Sequence, residues 1–68
     1  MWQVEQVNES AMEWETVRSF VLYKQAKDYL FQLADERFGK GQWRARPNGS
    51  VIGFYVVSKV GGVCLRMS

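Results

Sequence analysis

Hydrophobic and polar residues alternate along the C-terminal half of this chain and recur at helical spacing through its middle. Between Trp43 and Met67 the alternation is interrupted twice, at Pro47-Asn48-Gly49-Ser50 and at Gly61-Gly62. Asn48-Gly49 suits a tight two-residue hairpin turn because both residues tolerate positive φ, and Gly61-Gly62 can serve the same purpose. Three strands are therefore predicted. Counting outward from two-residue turns sets Trp43 opposite Phe54 and Arg44 opposite Gly53. The same count sets Lys59 opposite Cys64, Ser58 opposite Leu65 and Val57 opposite Arg66. Successive side chains of a strand point to opposite faces. One face then collects Trp43, Ala45, Ile52, Phe54, Val56, Val60, Val63, Leu65 and Met67, with Ser58 its polar member. The other collects Arg44, Arg46, Val51, Gly53, Tyr55, Val57, Lys59, Cys64 and Arg66.

From Leu22 to Phe38 the period changes. At about 100° per residue, Leu22, Ala26, Tyr29, Leu30, Leu33, Ala34 and Phe38 share one arc, while Lys24, Gln25, Asp28, Gln32, Asp35 and Glu36 lie opposite. Gly39 follows as a helix stop, and Arg37 sits in the last turn, where the helix dipole favours a cation. Phe31 borders the arc, which spans about 200° and exceeds what one sheet face covers. Phe31 and Tyr23 are thus candidates for self-association through a weak two-fold dimer. The alternative is that the N-terminal strand or its loop folds back over them.

The first third admits two readings. Ser10-Ala11-Met12-Glu13 has the form of a capping box, and Trp14, Val17 and Val21 have helical spacing. One continuous helix would set those three residues opposite the Leu22–Leu33 stripe, and no Gly or Pro near Val21 marks a turn between two helices. Two strands, Trp2 to Val7 and Trp14 to Phe20, joined at Asn8-Glu9-Ser10, fit better; two short helices are the alternative. The expected fold is α+β, a single domain over residues 1–68 of order β-β-α-β-β-β, with one helix packed on a mostly antiparallel sheet. Its core should contain Trp43, Phe54, Val56, Leu65, Leu30, Leu33 and Ala26, with Trp2 or Trp14 closing one edge.

Composition bounds this picture. A length of 68 residues is near the lower limit for a core without staples, and the 47% hydrophobic content makes disorder a poor reading. Cys64 stands alone, so no intramolecular disulfide forms and a reducing, cytoplasmic location is expected. No apolar run reaches membrane-spanning length, and the N-terminus lacks the pattern of a secretion signal.

Charge changes the picture most. The first 36 residues carry seven acidic and three basic side chains, whereas the last 32 carry six basic and none acidic. A formal charge of +2 thus conceals a divided molecule, and such division points to an anionic partner.

Catalysis finds little footing. With no His, the usual general base and metal ligand are missing, and the carboxylates do not cluster. Cys64 reads as a small hydrophobe, although Lys59 as its cross-strand neighbour would lower a thiol pKa. Gly39-Lys40-Gly41 follows a helix instead of opening one, so it is not a phosphate loop. Neither enzyme activity, cofactor nor metal is expected.

The constellation with a mechanism is the basic sheet face. Arg44, Arg46, Lys59 and Arg66 surround Tyr55, with Lys40 at the rim and no carboxylate expected among them. Arginines grip phosphates and an exposed Tyr can stack on a base. The expected partner is nucleic acid or a nucleoprotein complex. The alternative is an acidic or nucleic-acid-binding protein, as for the small inhibitors of phages and mobile elements that block host enzymes or defence complexes. A solvated outer face explains the cations equally simply, but it leaves Val51 and Val57 unexplained.

Overall fold

Asn8 decides the structure of the first third. Its side-chain oxygen accepts hydrogen bonds from the backbone N–H of Ser10 at 3.1 Å and of Ala11 at 3.4 Å. The side chain thereby substitutes for backbone in a chain reversal, and Met12, with φ of 55°, follows it. Ser10 therefore caps no helix, and the segment is a hairpin. The computed structural model describes residues 1–8, 10–47, 53–59 and 62–68. The elements are β1 (Trp2–Asn8), β2 (Glu13–Phe20), α1 (Tyr23–Phe38), β3 (Trp43–Pro47), β4 (Phe54–Ser58) and β5 (Val63–Met67). The expected order β-β-α-β-β-β is the observed one.

The strands form one antiparallel sheet in the order β2-β1-β5-β4-β3. β5 thus enters the middle of the sheet and pairs with β1, where Gln3 and Ser68 exchange backbone hydrogen bonds of 2.9 and 3.0 Å. α1 leaves β2 at one edge and delivers the chain to β3 at the other, so it crosses a single face. Ala26, Leu30, Leu33 and Ala34 line its buried stripe and meet Val4, Val56, Leu65 and Met67 of the sheet. Trp43 and Phe54, expected in the core, are half-buried and pack against it.

Aromatic pairs close both flanks of this core. Trp2 meets Tyr23 edge-on at 5.0 Å between ring centres, and Phe20 meets Tyr29 at 5.3 Å. On the far side Phe31 sits 5.3 Å from Trp43 and 5.8 Å from Phe54, with the Lys27 ammonium 5.8 Å from the Phe31 and Phe54 ring centres. Each such ring pair adds about 0.5–1.5 kcal/mol beyond area burial. Phe31, Tyr23 and Tyr29 of the wide arc are therefore half-buried against the chain's own sheet, while Leu22 at its start stays exposed. Trp2 of β1 packs on Tyr23 as the alternative to self-association expected, and Phe31 packs on Trp43 and Phe54.

Two corrections concern register. Trp43 pairs with Ser58, Ala45 with Val56, Arg46 with Tyr55 and Pro47 with Phe54, four residues away from the count through Asn48-Gly49. Asn48, Gly49 and Gly61 themselves lie outside the described residues. Val56 pairs with Leu65 and Tyr55 with Arg66, two residues away from the expected pairing, and an irregularity in β5 then sets Val57 opposite Val63. Lys59 lies past the end of β4, so it does not face Cys64, whose side chain also lies outside the described residues. The offsets of four and two are even, while the irregularity moves the Val57 partner by three. An even slip keeps every side chain on its face, so Trp43, Ala45, Phe54, Val56 and Leu65 remain on the helix side, and Arg44, Arg46, Tyr55, Val57 and Arg66 on the open side.

Gly53 explains part of the β4 register. A Cβ built on it would lie 2.5 Å from the backbone oxygen of Met67, so β5 runs too close for any side chain there. Gly53→Ala is expected to lower stability by about 1–3 kcal/mol through this overlap, measured as a lower urea midpoint. An unchanged midpoint would mean that β5 moves aside without cost.

Candidate anion-binding sheet face

The site begins with a cross-sheet row. Thr16 pairs with Glu5, Glu5 with Arg66, Arg66 with Tyr55 and Tyr55 with Arg46, so one line of side chains runs from β2 to β3 on the face away from α1. Arg44 and Val57 pair in the next position. Tyr55 is therefore flanked directly by two arginines, with a third one step along the edge strand. β3 is held in place from behind, where the Trp43 indole N–H donates to Asp35 Oδ1 of α1 at 2.9 Å.

The cations are not equivalent. Arg44 and Arg46 are exposed on β3, the sheet edge. Arg66 is engaged: its Nε donates to Glu5 Oε1 at 3.0 Å, and its guanidinium carbon lies 4.2 Å from the centre of the Trp14 ring. Glu5 Oε1 also accepts the Ser68 hydroxyl at 3.1 Å. The expectation that no carboxylate lies among these cations is thus corrected. Pairing of β1 with β5 brings Glu5 into the row from the acidic half of the chain, and its carboxylate offsets the Arg66 charge.

Lys59 and Lys40 lie at a different place. Lys59 is exposed in the turn after β4, its backbone N–H donating to Gln42 O at 3.0 Å. It lines an open hollow of about 240 Å³ with Arg37, Phe38, Gln42 and Ser58 at the C-terminal end of α1. Lys40 is exposed in the turn that leads from α1 into β3. The cations of the C-terminal half thus divide into an edge pair on the open face, a tethered one at its centre, and a group around the helix end.

Trp14 is the open-face residue that alternation misplaced. Val4 pairs with Arg18, but Glu5 pairs with Thr16, so Val17 is an extra residue in β2. Such a bulge shifts alternation by one. Val17 and Phe20 pack against the core, while Trp14, paired with Val7, turns to the open face. Of the two tryptophans offered for closing the core, Trp2 does so. A Val at the bulge gives no sequence signal of the kind a Gly would.

The sheet order also lays the charge division out in space. Glu13 and Glu15 lie exposed on edge strand β2, and Arg44 and Arg46 on edge strand β3. The bulge in β2 and Pro47 in β3 both blunt those edges against pairing with another chain. Among the described residues no group of three or more acidic, His or Cys side chains could hold a metal ion. Among the described residues no helix is long and apolar enough to cross a membrane. No family model, curated protein or solved structure matches the chain.

Proposed function

We propose that this chain is a non-enzymatic binding protein that receives nucleic acid, or a nucleoprotein complex, on its open sheet face. The observation that carries the reading is Tyr55 standing between Arg46 and Arg66 in one row, with Arg44 beside them on the exposed edge. Arg44 and Arg46 would hold phosphates by paired N–H contacts, and Tyr55 would offer its ring to a base. Contacts of this kind position a backbone without reading its sequence, so specificity should be weak.

Tyr55→Ala should weaken binding by about 1–3 kcal/mol, and Tyr55→Phe, which keeps the ring, by much less. Fluorescence anisotropy with a labelled oligonucleotide measures both. Equal affinity of the wild type and the Ala variant would remove Tyr55 from the site.

A second reading has its own support. Val7, Trp14 and Val57 place apolar surface on the same face, and Glu5 mixes the signs at its centre. Those features fit a protein partner, such as a nucleic-acid-binding enzyme that a small inhibitor would block. Binding to such a partner would resist nuclease and moderate salt, because apolar anchors dominate protein interfaces.

A further inference from the structure

Arg66 cannot behave as the edge arginines do. Glu5 holds its Nε at 3.0 Å, and the Trp14 ring lies 4.2 Å from its guanidinium carbon. With a carboxylate offsetting its charge, it is a poor clamp for a phosphate. What remains available is its shape. A guanidinium is planar and conjugated, and bases stack on such planes as they do on aromatic rings. This one is fixed by Glu5 and Trp14 together, while its side chain keeps 34% of its surface exposed.

Tyr55 pairs with Arg66 across neighbouring strands, whose backbones lie about 4.8 Å apart. Two flat groups therefore belong to the central row of the open face, the guanidinium drawn over β1 toward Trp14 of β2, with Arg44 and Arg46 beyond Tyr55 on β3. Double-stranded nucleic acid keeps its base faces inside the stack and has no use for such platforms. A single strand presents them freely.

Resting on the proposed nucleic-acid reading, we infer that the open face selects single-stranded nucleic acid. One base stacks on Tyr55 and another on the Arg66 guanidinium, which Trp14 supports from the other side. Arg44 and Arg46 hold phosphates of the strand on the β3 side of Tyr55. Trp14 is thus a positioning residue, and Arg66 a contact residue that acts by its plane more than by its charge.

The test uses the full chain and three labelled probes of about twelve nucleotides, within the usual site size for such modules. They are a mixed-sequence single strand, the same sequence as a duplex, and an abasic sugar-phosphate strand of equal length. The wild type should bind the single strand about tenfold or more tighter than either other probe, as expected when base stacking contributes. Trp14→Ala and Arg66→Lys should each lower that preference several-fold, to what Tyr55 alone supports, while leaving duplex affinity within about twofold, since phosphate contacts are unchanged. Arg66→Lys keeps the charge and removes the plane, so it decides the matter even if Trp14→Ala fails to fold. Equal binding of all three probes by the wild type, or a preference that Arg66→Lys leaves undiminished, would overturn the inference while leaving the proposed function standing. No binding to any probe would overturn both, and would leave a protein partner.

Discussion

Changing Arg44 and Arg46 together to Glu is expected to abolish partner binding while leaving the circular dichroism spectrum intact. Both side chains are exposed on the outer face of edge strand β3, so neither supports the core. A guanidinium–phosphate contact at about 4 Å in water is worth about 1 kcal/mol. Reversal turns two attractions into two repulsions, a change of about 4 kcal/mol and roughly a thousandfold in affinity. Changing both to Gln should give about half that loss on the same scale. A reversed protein that is folded and still binds would remove the basic edge from the site.

Leu30→Ala is expected to unfold a large fraction of the molecule. Leu30 is fully buried at the centre of the helix stripe, facing Val4, Val56 and Leu65 in the same cluster. Removing a buried leucine in this way costs about 2–5 kcal/mol, from lost transfer energy and the cavity left behind. A single core of this size supplies about 3–5 kcal/mol in total. Thermal unfolding should therefore show a broad transition close to room temperature. A midpoint lowered by only a few degrees would mean that the sheet collapses onto the helix and fills the gap.

Alternation was enough to separate Trp43, Ala45, Phe54, Val56 and Leu65 from Arg44, Arg46, Tyr55, Val57 and Arg66; Val51, Ile52, Val60 and the side chains of Val63 and Cys64 lie outside the described residues. Even slips of four and two residues left Trp43 and Arg44 on opposite faces, although none of the counted pairs was the real one. The helix was legible because Ala26, Leu30, Leu33 and Ala34 repeat at its period with Gly39 behind them. Other features had no local signal. Alternation is silent about strand order, so nothing near Glu5 announces Arg66, 61 residues away in sequence, as its ion-pair partner. The bulge at Val17 is equally silent, and it sends Trp14 to the open face. Lys59 was misplaced because β4 ends at Ser58, one residue before it. What the sequence concealed is therefore the middle of the site, where the acidic and basic halves of the chain meet. Its basic edge was visible from charge and period alone.

The most direct check on an anion-binding open face is the salt dependence of affinity. Neutralising each phosphate of a single strand contributes about −0.7 to the slope of log affinity against log salt concentration. With Arg44, Arg46 and a partial share from Arg66, the wild type should show a slope of about −1.5 to −2 between about 50 and 200 mM salt. The Arg44→Glu, Arg46→Glu protein should lose that binding at every salt concentration. A wild-type affinity that stays constant across the range, or no binding to nucleic acid at its low end, would contradict the account.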